Sequence, residues 1–224
     1  MPRPLSLHSF GVLRTLRQAQ KRQAHTKPTP IPQNSHVYAI PSPEKPSEYV
    51  LTLLPTIPPN PLLALGTTSA LPPGPSTFTL NPAFSPILSA TVREYGATDP
   101  DTAVAASVYA ASSQSSAFLA RGSGTGHKKT KTVDDKGREA GSGVRGGFVH
   151  ITDRRAEPEF GRVPDPEDIL GSVEVDGEGN VIGDHVEDSG TYRVVTRRGV
   201  LGLSPYLREK LVERLKKLEA EEQG

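Results

Sequence analysis

Five short apolar runs follow one another between residues 148 and 203, and polar or glycine-containing turns separate them. The runs read FVHITD, ILGSVEV, NVIGD, TYRVVT and GVLGL. In the fourth run, Tyr192, Val194 and Thr196 share one face, because successive residues of a strand point to opposite faces. Runs of this length between such turns predict antiparallel strands, so we expect a β-meander at 148–203.

After Leu203 the apolar spacing changes to that of a helix. Ser204 suits the N-cap and Pro205 the first helical position. Leucines then recur on one face, which consists of Leu207, Leu211, Leu215 and Leu218, with Val212 beside it. The pattern predicts an amphipathic helix from about Pro205 to Glu221 that packs on the preceding sheet. A role as a partner helix in a coiled coil is the alternative.

Two further helices are predicted in the middle of the chain. The first has Ser85 as its N-cap, Pro86 at the first helical position and Gly96 as its stop. The second is capped by Asp99 and ends before Gly122. Its expected thin apolar face comprises Val104, Val108, Ala111, Ser115 and Phe118 or Leu119.

No charged residue occurs between Glu48 and Arg93, a run of 44 positions. A transmembrane helix needs about 20 consecutive apolar residues, and prolines interrupt every window of that length. No integral membrane span is therefore predicted. We expect short strands near residues 49–54, 62–65 and 77–80, joined by proline turns, and we attribute the lack of charge to their burial.

Composition limits how much of the 224 residues can pack around one core. The chain holds 22 Pro and 21 Gly with 34% apolar residues, so long irregular segments are expected. The absence of cysteine excludes disulfides and thiolate metal ligands. Residues 36–222 are predicted to form a single α+β domain. A flexible, Gly- and Lys-rich insertion is expected at 121–147.

The charge is concentrated at the N-terminus, where the first 43 residues hold six Lys or Arg and no acid. Wound as a helix, residues 5–21 place most of their apolar side chains on one side and several cationic ones on another. This composition is typical of a mitochondrial transit peptide. We interpret residues 1–35 as such a peptide followed by a Pro-rich spacer. The expected location is the mitochondrial matrix or the matrix side of the inner membrane. A basic RNA- or membrane-binding arm and an unstructured tail are the alternatives.

Two stretches resemble ligand-binding motifs without meeting their requirements. GSGTGHKKT lacks the glycine that a phosphate-binding P-loop needs before its lysine, because His127 stands there. The spacing of a calcium loop is matched by Asp176, Glu178, Asn180 and Glu187, but Val181 occupies the position where the sharp turn requires glycine. An Asp-Gly pair between β-branched runs instead predicts a hairpin turn with no bound metal.

Charged residues gather in the loop at 153–168 and in the insertion. The loop is expected to be a solvated surface with weak ion pairs, and it is the first place to look for a partner contact. The lysines of the insertion suit the phosphates of RNA. The candidate contact residues are Arg154, Arg155, Arg162, Asp165, Glu167, Asp168, Lys128, Lys129 and Lys131.

No convergent set of catalytic residues, cofactor motif or metal-ligand cluster is recognised in the sequence, so no cofactor is expected. The leading hypothesis is a non-catalytic mitochondrial accessory protein that binds a protein or a ribonucleoprotein assembly. A protein partner is preferred, and RNA is the second candidate through the basic segments. The alternative hypothesis is a small enzyme that uses the loop at 153–168 together with His150. The oligomeric state is not predicted.

Overall fold

The computed structural model describes residues 27–45, 47–122, 146–156 and 162–223. These residues form three antiparallel sheets and three α-helices, and the predicted α+β class is confirmed. The segment interpreted as a transit peptide and most of the insertion, residues 123–145, lie outside the described residues. The P-loop-like lysines fall within that insertion.

The first sheet is a five-stranded meander in the order β1-β2-β3-β4-β5. Its strands are β1 (Thr29–Ile31), β2 (Asn34–Pro41), β3 (Tyr49–Thr52), β4 (Gly66–Thr68) and β5 (Phe78–Leu80). β1 lies within the stretch interpreted as spacer and pairs with β2, so the sheet starts before residue 36. The strands expected near 49–54 and 77–80 are present as β3 and β5.

Residues 62–65 form a turn, and the strand predicted there is wrong. The side-chain amide of Asn81 donates hydrogen bonds to the carbonyl oxygens of Pro61, Leu62 and Ala64 at 2.8, 3.1 and 2.8 Å. Because these carbonyls accept hydrogen bonds from the Asn81 amide instead of from a neighbouring strand, strand pairing begins only at Gly66. A Cβ on Gly66 would lie 2.1 Å from the carbonyl oxygen of Thr79, so the approach of β4 to β5 requires glycine.

The second sheet has the order β6-β7-β8 and contains β6 (Gly147–Thr152), β7 (Ile169–Val175) and β8 (Val181–Asp188). A separate hairpin joins β9 (Val195–Thr196) to β10 (Gly199–Val200). The single meander predicted at 148–203 is therefore correct only for its first three strands. Residues 191–193 bond to the turn before β7 instead, since Arg193 N donates to Glu167 O at 3.1 Å.

The predicted side-chain alternation at residues 192–196 is also wrong, because Val194, Val195 and Thr196 are buried in succession. The hairpin turn predicted from VDGEGNVI is present between β7 and β8. The Asp176 carboxylate accepts hydrogen bonds from Glu178 N, Asn180 N and Asn180 Nδ2 at 2.9, 2.8 and 2.8 Å. These bonds hold the pKa of Asp176 below its ordinary value, and the bond from the Asn180 side-chain amide contributes most to this shift.

The helices are α1 (Phe84–Tyr95), α2 (Pro100–Gly122) and α3 (Pro205–Gln223). The cap predicted for α1 is wrong, because the helix already includes Ser85 and the side chain of Asn81 accepts from Ala83 N at 3.1 Å. The other two caps are confirmed. Asp99 Oδ1 accepts from Asp101 N at 3.1 Å, and Ser204 Oγ accepts from Leu207 N at 3.0 Å. Ser204 Oγ also donates to Asp99 Oδ2 at 2.6 Å, so α2 and α3 start from one hydrogen-bonded pair.

The buried face of α2 differs from the predicted one. Val104 is 64% exposed and Val108 is 45% exposed, whereas Ala106 and Ala110 are buried. The reason is steric, because a Cβ on Gly179 would lie 2.8 Å from the carbonyl oxygen of Ala106 and 3.0 Å from the Ala110 Cβ. Only small side chains on this face let the helix approach the β7–β8 turn so closely. The predicted positions beyond residue 113 have side chains outside the described set.

One hydrophobic cluster includes side chains from all three sheets and all three helices. The leucine stripe of α3 is confirmed, since Leu207, Leu211 and Leu215 are fully buried. Burial of each such side chain contributes about 1.5–3 kcal/mol before entropic costs. In the part of the chain that the structure describes, no helix has the length and apolar character to cross a bilayer.

Substitution of Ala106 by leucine tests the packing of α2. Because the added side chain has no room beside the β7–β8 turn, A106L is expected to lower the free energy of unfolding by about 1–3 kcal/mol. The exposed control V108A is expected to change it by about 0.5 kcal/mol or less. Urea unfolding of both variants measures the difference. A larger loss in V108A than in A106L would restore the face predicted from the sequence.

Candidate functional site

The charged loop at 153–168 is partly buried, contrary to its interpretation as a solvated surface. The side chain of Arg155 is 3% exposed, and those of Asp153 and Asp168 are fully buried. Together with Tyr192 and Arg198 they form what we call the Arg155 cluster. Residues 157–161 of the loop lie outside the described residues.

Strand pairing brings the two buried carboxylates together. β6 ends at Thr152 and β7 begins at Ile169, and these two residues are paired in the sheet. Asp153, the residue after β6, therefore lies next to Asp168, the residue before β7. The main chain joins them directly, because Asp153 N donates to Asp168 O at 2.8 Å.

The guanidinium of Arg155 binds oxygens from several segments. Its Nε donates to Asp168 Oδ1 at 2.8 Å, and its Nη1 lies 3.6 Å from Asp153 Oδ2. The remaining bonds go to main-chain oxygens of Val194 at 3.0 Å, Glu167 at 2.9 Å and Arg193 at 2.6 Å. The planar fork of arginine donors suits such convergent acceptors, which a lysine ammonium cannot match.

Asp153 connects the cluster to the segment before α3. Its carboxylate accepts from Tyr192 Oη at 2.6 Å and from Gly202 N at 2.9 and 3.0 Å. Arg154 N in turn donates to Gly202 O at 2.7 Å. Burial first, and then the Asp153 carboxylate, raise the pKa of Tyr192 well above its ordinary value of 10.0. The Tyr192 phenol is therefore held in its neutral form.

Arg198 completes the charge balance of the cluster. Its Nη1 lies 3.0 Å from Asp168 Oδ2, while its Nη2 pairs with the exposed Asp165. The two buried carboxylates thus face two guanidinium groups. Every buried side-chain nitrogen and oxygen among the described residues has a hydrogen-bond partner. The buried donors and acceptors of the cluster form their hydrogen bonds with other groups of the same chain. This is the arrangement of a structural network.

His150 lies outside the Arg155 cluster, and its Nδ1 is 2.9 Å from Ser172 Oγ of β7. It lines a cavity of about 410 Å³ together with Asp99, Asp101, Arg154 and Ser204. Burial raises the pKa of Asp99, although the Ser204 hydrogen bond opposes the shift. The enzyme hypothesis paired His150 with carboxylates of the loop at 153–168. The cavity pairs it with carboxylates from the start of α2 instead.

The remaining predicted contact residues are dispersed. Arg154 pairs with Asp101 at 3.0 Å. Asp165 and Glu167 line a shallow pocket of about 520 Å³ with Arg193, and Arg162 is exposed. The lysines at 128, 129 and 131 lie outside the described residues. Their role in partner contact stays a prediction, while Arg155 and Asp168 are turned inward.

Sequence reasoning missed Tyr192 and Arg198 as members of the cluster. The available signal was the antiparallel pairing of the FVHITD and ILGSVEV strands, which brings Asp153 and Asp168 together. No comparable signal marked Tyr192 or Arg198, because their segment reaches the cluster through hydrogen bonds that Thr191 Oγ1 and Arg193 N donate to the carbonyl oxygens of Pro166 and Glu167.

A third concave surface lies between α1 and α3 and encloses about 650 Å³. Lys210 Nζ lies 5.6 Å from the ring centre of Tyr95 and 6.0 Å from that of Tyr206. Lys210 lies 3.0 Å from Glu213 and Arg214 pairs with Glu94, and Lys217 also lines this surface. Within the described ranges, no group of three or more histidine and acidic side chains is placed to hold a metal ion.

Comparisons of the chain with models of known protein families, with curated proteins and with solved structures give no significant match. The function must therefore be inferred from the geometry and from the chemistry of the residues.

Replacement of Arg155 by lysine tests whether the cluster is structural. R155K keeps the charge but loses the planar fork, so we expect a loss of about 3 kcal/mol in the free energy of unfolding, typical of a broken buried ion pair. The matched control is R154K at the neighbouring exposed position, where the change should be about 0.5 kcal/mol or less. Urea unfolding measures both. Equal effects at the two positions would contradict the buried role of Arg155.

Tyr192 predicts a specific dependence of stability on alkaline pH. Because its pKa is raised in the folded chain, the stability due to the neutral phenol is present below 10.0 and is lost as the pH rises above that value. Y192F cannot ionise, so its free energy of unfolding should fall less steeply than that of the wild type above pH 10.0. At neutral pH the variant should be less stable by about 1.5–3 kcal/mol, because Asp153 loses a donor. Parallel curves in urea unfolding across this range would refute the assignment.

Proposed function

We propose that the protein is a non-catalytic accessory protein that binds another protein within a larger assembly. The observation that carries this proposal is the saturation of the Arg155 cluster. Catalysis needs an acid, base or nucleophile that can reach a substrate. Arg155 and its two carboxylates instead bond to groups of the same chain. Their chemistry supports a scaffold whose surface does the binding.

A protein partner is favoured over RNA for the described surface. Phosphate binding draws on cations that lack a local counter-charge. Several exposed cations already lie beside a carboxylate of the chain. These pairs are Arg93–Asp188, Arg154–Asp101 and Arg198–Asp165. RNA binding would then depend on the basic residues of the N-terminus and the insertion.

The proposed location is the mitochondrial matrix or the matrix side of the inner membrane. It is supported by the acid-free, Arg-containing composition of the first 43 residues. An accessory role in an organellar assembly is consistent with this address.

An enzyme is the second candidate, and the cavity beside His150 favours it. His150, Asp99 and Asp101 line the same space of about 410 Å³. A histidine near a carboxylate whose pKa is raised by burial is a pair suited to proton transfer. Asp99 and Ser204 also act as helix caps, however, which gives both residues a structural role.

Affinity purification of the full chain from the mitochondrial fraction tests the proposal. We expect a protein partner to co-purify at low salt, to remain bound at moderate salt and to persist after nuclease treatment, because apolar contacts are less sensitive to ionic strength than phosphate contacts. Loss of the partner with salt or nuclease would indicate an RNA-dependent role. The absence of any partner would contradict the proposal, and absence of the chain from that fraction would contradict the address.

A further inference from the structure

The uncharged run between Glu48 and Arg93 is only partly explained by burial. With 23% charged residues overall, 44 positions would hold about ten charges (0.23 × 44), yet this run holds none. Many of its apolar side chains are exposed. They are Pro55, Ile57, Pro58, Pro61, Leu62, Leu71, Pro72, Pro75, Leu80 and Pro82. A solvent-facing surface normally carries charge, so a surface that avoids it points to contact with something other than water.

Several of these exposed residues form one surface because Asn81 fastens two segments together. Its side-chain amide holds the carbonyls of Pro61, Leu62 and Ala64, which sets the loop against the end of β5. We call residues 55–62 with Leu80 and Pro82 the proline surface. Ile57, Leu62 and Leu80 are 48%, 55% and 44% exposed within it. β5 is also an edge strand of the first sheet.

The border of the proline surface is acidic on the side where the end of α3 lies. Thr56 Oγ1 donates to Glu219 Oε2 at 3.3 Å, and Asn60 Nδ2 donates to the carboxylate of Glu222. These bonds place the loop beside the end of α3, where Glu222 is exposed. An uncharged apolar centre with a charged border is the anatomy of a protein–protein interface.

The acidic border selects among the occupants of this surface. Membrane association through an apolar patch is strengthened by cations that meet anionic lipid, and carboxylates here would oppose it. A two-fold contact with a second copy would bring the same carboxylates towards each other. A different protein with basic residues around an apolar patch meets both parts of the surface.

We propose that the proline surface binds a partner protein through an apolar patch bordered by Lys or Arg. This inference rests on the proposed function, and it adds the place and the chemistry of the contact. The fold does not need these side chains to be apolar, since Ile57 and Leu62 project about half of their surface into solvent. Charged substitutions there should therefore remove binding while leaving folding intact.

The test compares the variant I57K/L62K with the control V163K in affinity purification of the full chain from native cells. Val163 is exposed and lies outside the proline surface. The lysines put charge into the apolar centre and repel a basic border, so we expect the recovered partner to fall at least about tenfold, as at an interface hot spot. V163K should retain it, and thermal unfolding of I57K/L62K should match the wild type. The variant E222K should weaken binding through the border.

Failure of the inference is distinguishable from failure of the proposed function. If the wild-type chain captures no partner, the proposed function is overturned. If I57K/L62K captures as much partner as the wild type, only the proline surface is overturned.

A photo-crosslinking residue at Leu62 in the otherwise unchanged chain decides the matter if I57K/L62K fails to fold. A crosslink to an apolar segment flanked by Lys or Arg in the captured protein supports the inference.

Three results overturn it. The first is an adduct of twice the chain mass, and the second is flotation of the wild type with anionic vesicles. The third is a crosslink that forms when the photo-crosslinking residue replaces Val163 but not when it replaces Leu62.

Discussion

Burial of the Arg155 guanidinium is the constraint on which the C-terminal half of the chain depends. Taking a charge out of water costs several kcal/mol, and the cost is offset only when opposite charges and hydrogen-bond acceptors surround it. Those acceptors come from the turn before β7, from Asp153 after β6 and from the main chain at residues 193 and 194. Each segment must be in place for the others to be stable, so the cluster couples them into one unit.

The same network positions the helices. Asp153 and Arg154 hold Gly202, and two residues later Ser204 caps α3 and bonds to Asp99, the cap of α2. The buried polar groups thereby fix where the leucine stripe of α3 enters the core. The buried charges of the Arg155 cluster lie in this C-terminal half, whereas the uncharged proline surface lies in the other half.

Features determined by nearby residues could be predicted from the sequence. Ser204 and Pro205 define the start of α3, and the Asp-Gly pair defines the β7–β8 turn, because both act within a few residues. The burial of Arg155 could not be separated from the exposure of Arg154, since it depends on the pairing of Thr152 with Ile169 and on main-chain groups of a third segment. The face of α2 was misjudged for a related reason. Val104 and Val108 are the more apolar residues, but the β7–β8 turn approaches so closely that only alanines fit. The prolines of the uncharged run predict short segments rather than one long helix, whereas the exposure of Ile57 and Leu62 depends on the loop held by Asn81.

Native-state hydrogen exchange tests the coupling through Arg155 most directly, because it reports the free energy of opening at single amides. The informative amides are those of Asp153, Arg193 and Gly202, which bond to Asp168 O, to Glu167 O and to the Asp153 carboxylate. If the cluster unites these segments, all three amides exchange only through global unfolding, with the same opening free energy as the amide of Leu211 in α3. Exchange of the Arg193 or Gly202 amide through a local opening of much lower free energy, with the Leu211 amide still protected, would contradict the coupling.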